Sequence, residues 1–155
     1  MKKLSQLFFL AIVLFSGSAF IATPASAHCQ VPCGIYDDPA RVQSMLEDAA
    51  TVEKAIAMLT NLAGKTDPQS LNQITRWVHN KELHAQKIIQ TISDYFLTQR
   101  VKPAQEDYAN RLARHHAVIL SAMKAKQNSH SDVAKILKES IQALQVYYPA
   151  PQHSH

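Results

Sequence analysis

The chain has only two cysteines, and they stand four residues apart in His28-Cys29-Gln30-Val31-Pro32-Cys33-Gly34-Ile35-Tyr36. This segment directly follows Ala25-Ser26-Ala27, the small-x-small sequence at which exported chains are cut. A cut after Ala27 makes His28 the first residue. The segment then offers a free amine and an imidazole at His28, an amide nitrogen and a thiolate at Cys29, and a second thiolate at Cys33. Pro32 stiffens the turn between the two thiolates, and Gly34 permits unusual backbone angles just after it. Square-planar nitrogen and sulfur coordination suits nickel(II) or copper(II), whereas zinc prefers a tetrahedron. Thiolates and a deprotonated amide donate electron density strongly and so stabilise a higher oxidation state. The donor set is therefore suited to one-electron redox chemistry. Two other readings stay open on the residues alone: a metal carrier without catalysis, and a short-loop disulfide.

The elements that must position this segment follow from the rest of the chain. Lys2 and Lys3 followed by the apolar run Leu7 to Phe15 read as a cleaved secretory signal over residues 1–27, too short for a membrane span of roughly 20 residues. Removing it from the 155 residues leaves 128, enough for one domain with a sizeable core. Without Lys2 and Lys3, the 16 basic and 12 acidic residues leave a net charge of +2, too weak to imply a nucleic-acid partner. No stable membrane association is expected after cleavage. A mild positive field suits a small anion.

Scarce glycine and abundant Ala, Leu, Gln and Lys favour helix. Asp38 reads as the cap of a first helix with Pro39 at its first position, whose apolar positions are Val42, Met45, Leu46, Ala49, Val52, Ile56 and Leu59, with Gly64 ending it. Asp67-Pro68 starts a second helix to about Leu97, with Leu71, Ile74, Val78, Ala85, Ile88, Ile89, Ile92 and Phe96 inward and a phase drift near Lys81. Pro103 starts a third helix to about Lys126, with Tyr108, Leu112, Ile119 and Met123 inward. Ser131 caps a fourth that buries Val133, Ile136, Leu137, Ile141 and Leu144, before Pro149 and Pro151. These predict an all-α protein: an antiparallel up-down-up-down four-helix bundle with an N-terminal metal-binding hook. The domain spans residues 28–148, with the hook at 28–36 and a flexible tail at 149–155.

The pattern His28-Cys29-x-x-Pro32-Cys33-Gly34-x-Tyr36 resembles the hook of nickel-containing superoxide dismutases, and Ser93-Asp94-Tyr95-Phe96 resembles a second segment of that family. The resemblance implies dismutation of superoxide to oxygen and hydrogen peroxide at a mononuclear Ni(II)/Ni(III) site, with one nickel ion per subunit. His28, Cys29 and Cys33 would be the metal ligands, and Tyr36 and Tyr95 would flank the substrate position. Lys102 is a candidate for attracting the anion. An acid and an arginine that orient the axial imidazole are also implied, for which Gln43, Glu47 and Arg41 are candidates. The resemblance further implies a homohexamer, and the leader implies maturation by signal peptidase and a periplasmic or secreted location. The alternative function is a non-catalytic exported nickel or copper binding protein. Of the eight histidines, His79 and His84 diverge around one helix, as do His115 and His116, so no second metal site is expected there.

Overall fold

The computed structural model describes residues 36–149; the signal segment, His28, Cys29, Cys33, Pro151 and the end of the tail lie outside them. Every regular element among the described residues is helical. Helix α1 runs Asp38–Leu62, α2 Pro68–Gln90, α3 Tyr108–Gln127 and α4 Ser131–Gln142. A π-helical stretch, Thr91–Arg100, continues α2. Helices α1 and α3 each pack against both α2 and α4, so the four enclose one core. Its centre is Val42, Met45, Val52, Ile88, Ile92, Phe96, Val118, Leu137, Ile141 and Leu144.

The cap of α1 is Asp37, not Asp38: the Asp37 carboxylate accepts the Ala40 amide at 3.0 Å. The two adjacent acids compete for one capping position, and only the residue with non-helical backbone can take it. Asp38 is thereby released into the helix with its side chain free for another task. Gly64 turns the chain after α1 with φ +78°, the left-handed region that glycine tolerates best. Asp67 caps α2 as expected, accepting the Ser70 amide at 2.9 Å.

Further expectations need correction. The α-helix from Pro68 stops at Gln90, and the predicted remainder to Leu97 is π-helical, with the Val101 amide reaching back five residues to the Phe96 carbonyl. Helix α3 begins at Tyr108, not Pro103, because the Gln105 side chain accepts the Lys102 amide and donates to the Arg100 carbonyl, holding the intervening residues in a turn. Its buried face is His115, Val118, Ser121, Ala122 and Ala125, which leaves Leu112 and Met123 exposed. Small side chains let α3 seat closely on its neighbours, so volume rather than hydrophobicity sets its rotation. On α2 and α4, Leu71, Val78 and Ile136 are likewise exposed.

The phase drift of α2 at Lys81 has a cause. Lys81 is only 4% exposed, and its ammonium donates to the carbonyls of Ala125, Lys126 and Asn128 at the C-terminal end of α3. Those carbonyls lack helical partners, and the helix dipole makes that end negative. A buried lysine there replaces an apolar core residue.

Candidate active site

The π-helical stretch sets the site. It carries Ser93-Asp94-Tyr95-Phe96 and ends at Arg100, so Tyr95, Phe96 and Arg100 are presented from one turn and a half of widened helix. Tyr95 is buried and Phe96 wholly so, the two rings meeting edge-on at 5.0 Å between centroids. Tyr36, 43% exposed, lies with its ring 6.4 Å from that of Tyr95. The sequence segments expected to supply the two tyrosines are thus brought together, across the junction of α1 and the π-helical stretch.

Asp38 ties that junction. It accepts the Tyr95 hydroxyl at 2.6 Å on Oδ1, and Nε and Nη2 of Arg100 at 2.9 and 2.6 Å on Oδ2. The Arg100 guanidinium then lies over the Tyr36 ring at 4.6 Å, and that of Arg41 over Tyr95 at 5.4 Å. Burial, then the hydrogen bond and charge of Asp38, push the Tyr95 hydroxyl well above the ordinary tyrosine range, so Tyr95 stays a neutral phenol. Tyr36 and Tyr95 therefore form a rim under two cations, one ring presented to solvent and the other locked beneath it.

Arg100 and Asp38 complete the tyrosine rim, and sequence reasoning missed both. The signal was present: two adjacent acids where one suffices as a cap, and an arginine one turn beyond Tyr95. Of the other candidates, Arg41 does face Tyr95. Gln43 and Glu47 are bonded to each other at 3.3 Å on the exposed side of α1. Lys102 is exposed in the turn after the π-helical stretch, its amide held by Gln105. The cations stacked on the tyrosine rim are Arg100 and Arg41.

Beside the rim, a cleft of about 320 Å³ runs between α1 and α2, lined by Arg41, Asp48, Lys87, Asp94 and Tyr95. Asp48 pairs with His84 at 2.5 Å, while His115 is fully buried on α3 against Phe96. Among the described residues no three His, Cys, Asp or Glu side chains gather to hold a metal ion. The donor set suited to a redox metal is that of His28, Cys29 and Cys33, and it joins the described fold at Tyr36, three residues after Cys33.

Comparison with known proteins bears on the chain as a whole. The family model described as nickel-containing superoxide dismutase matches residues 23–152, nearly all of the sequence. No curated protein and no solved structure matches.

Proposed function

Since this chain belongs to the nickel-containing superoxide dismutase family, an oxidoreductase family that disproportionates superoxide to oxygen and hydrogen peroxide with a nickel cofactor, we propose that its metal is held by His28, Cys29 and Cys33. The free amine and imidazole of His28, the amide nitrogen and thiolate of Cys29 and the thiolate of Cys33 are the donors. When bound, nickel supplies the one-electron exchange between its Ni(II) and Ni(III) states.

The observation that carries this reading is the Tyr36–Tyr95 rim with Arg100 stacked over Tyr36. Chain connectivity keeps the Cα of Cys33 within about 11 Å of that of Tyr36. The remaining steps belong to this chain's own residues. Arg41 and Arg100 attract the superoxide anion, with Lys102 adding to the field from the adjacent turn. Tyr95, fixed as a neutral phenol by Asp38, and Tyr36 narrow the approach to a small diatomic, and the Tyr36 hydroxyl is the donor left free to meet it.

The finer architecture follows the same reading. The four helices run antiparallel, up-down-up-down, joined by short connections and carrying the hook at the start of α1. Residues 1–27 are a signal removed by signal peptidase, which delivers the protein to the periplasm or exterior and frees the His28 amine in one step. The protein assembles as a homohexamer with one nickel per subunit. The large side chains of Leu71, Val78, Leu112, Leu120, Met123 and Ile136, exposed on the isolated chain, support burial between copies.

The test compares protein beginning at His28 with protein retaining Ala27, each reduced, loaded with nickel, dialysed and assayed. Superoxide dismutation and one tightly held nickel only in the His28 form are expected. Equal activity in both refutes the amine ligand, and nickel retention without activity in both supports a binding protein.

A further inference from the structure

Behind the tyrosine rim lies a third phenol, which the dismutase reading does not use. Tyr148, after α4, is 6% exposed, and its hydroxyl lies 3.0 Å from Nε2 of His115, which is fully buried. The other ring nitrogen of His115 lies 2.7 Å from the Arg111 carbonyl oxygen, which can only accept. Nδ1 therefore carries the ring proton, and Nε2 is left as the acceptor of the Tyr148 hydroxyl. The aromatic rings continue back to the rim without a gap: Tyr148 to Phe96 at 4.7 Å, Phe96 to Tyr95 at 5.0 Å, and Tyr95 to Tyr36 at 6.4 Å.

We propose that Tyr148 and His115 form a redox-active tyrosine–histidine pair that takes up oxidising equivalents escaping from the active-site rim. The starting point at Tyr95 rests on the reading of Tyr36 and Tyr95 as that rim; the pair itself does not. Tyr95 gives one electron to a hydroxyl radical formed from peroxide at the rim, which leaves as hydroxide, and the Tyr95 hydroxyl proton passes to Asp38. An electron from Tyr148 then crosses the Phe96 ring to the Tyr95 phenoxyl, and Asp38 returns the proton. The Tyr148 hydroxyl proton moves at the same time to His115 Nε2. The net change removes one electron from Tyr148 and adds it to the oxidant; one O–H bond breaks at Tyr148 and one N–H bond forms at His115. A diffusing thiolate resets the pair by giving up one electron, leaving a thiyl radical, and the proton returns from His115 to Tyr148.

The surroundings favour this chemistry. Burial pushes the His115 pKa down, so the imidazole is neutral and ready to accept. Burial also pushes the Tyr148 hydroxyl up to about 12, so the group holds its proton until it is oxidised. Loss of the electron and the proton must then occur together, which requires a positioned acceptor. His115 is that acceptor.

The test is electron paramagnetic resonance on the full nickel-loaded protein carrying a ring-fluorinated tyrosine at position 148. One sample is freeze-quenched after mixing with hydrogen peroxide, and another after oxidation by photogenerated ruthenium(III) tris-bipyridine. Both are expected to give a phenoxyl signal with fluorine hyperfine splitting. The signal should be lost in Tyr148→Phe, and its peroxide-driven form also lost in Tyr95→Phe. The fluorinated ring keeps the native shape, so the readout does not depend on whether Tyr148→Phe folds. A ruthenium-driven phenoxyl without fluorine splitting, or no phenoxyl at all, overturns the pair. Fluorine splitting with ruthenium but not with peroxide, in a sample that dismutates superoxide, overturns the route from Tyr95. A sample that does not dismutate superoxide refutes the active-site reading instead, and the ruthenium arm still decides the pair.

Discussion

Asp38 is the residue whose removal says most about how the rim is held. Its carboxylate takes one phenol hydroxyl and two guanidinium N–H groups, and its side chain is 12% exposed against 32% for Arg100. A hydrogen bond to a charged group contributes about 1.5–3 kcal/mol when buried, while an exposed pair contributes roughly 0.2–1 kcal/mol. This pair lies between those limits, so a double-mutant cycle of Asp38→Ala with Arg100→Met should give a coupling of about 1.5 kcal/mol. Asp38→Ala alone also strands the buried Tyr95 hydroxyl, which raises its total cost to about 3 kcal/mol. The functional consequence is smaller. Arg100 loses its anchor over Tyr36, a cation–π contact of about 0.5–1 kcal/mol, which corresponds to a two- to fivefold fall in kcat/KM for superoxide. Urea unfolding of the nickel-free protein at fixed concentration measures the first quantity, and pulse radiolysis of the loaded protein the second. A coupling below about 0.3 kcal/mol, at the level of ordinary additivity error, would refute the clamp.

Other perturbations test other parts of the structure. Lys81→Met removes the cation from three carbonyls at the end of α3 and should cost about 3 kcal/mol, lowering the thermal midpoint by on the order of 10 °C; a change of a degree or two would mean the ammonium contributes nothing net. The raised Tyr95 and Tyr148 hydroxyls keep protons that the unfolded chain loses above about pH 10, so stability should be full below that pH and fall as pH rises beyond it; Tyr148→Phe should reduce the slope. The depressed His115 has the opposite sign: its contribution is present above about pH 6.5 and declines as pH falls below it, and a urea-midpoint profile of His115→Gln should lack that component. Gly64→Ala meets no atom within 4 Å, so only its left-handed backbone is strained, and a loss of about 1 kcal/mol in urea unfolding is expected.

What the sequence revealed, and what it concealed, divides along physical lines. Helix existence was legible because Asp67-Pro68, Gly64 and the apolar spacing of α1 each act within one or two turns. The tyrosine pair was legible because each member sits in a distinctive local segment. The faces of α2 and α3 were less so. Lys81 is polar by type, but its ammonium donors are satisfied by carbonyls 44 to 47 residues away, which no local window contains. Leu112 and Met123 look like core, yet Ala122 and Ala125 are buried in their place. A hydropathy pattern ranks side chains by transfer energy, whereas close packing selects by volume, and the two rankings part where helices approach tightly.

The misreading of Asp38 shows a further reason for this gap. A cap and a clamp use the same carboxylate, and Asp37-Asp38-Pro39 supplies two candidates for one position. Capping is satisfied by the residue with non-helical backbone, Asp37, whose loss of the role to Asp38 would leave the π-helical arginine unpaired over Tyr36. The second aspartate is thus free to join α1 to residues 57 and 62 positions further on. Because α1 begins two residues after Tyr36, fixing its first turn to Tyr95 and Arg100 also fixes where the preceding chain leaves the domain. That exit is set by a charge pair and a phenol, and the ligands we propose, Cys33, Cys29 and His28, stand three to eight residues before Tyr36 in the sequence.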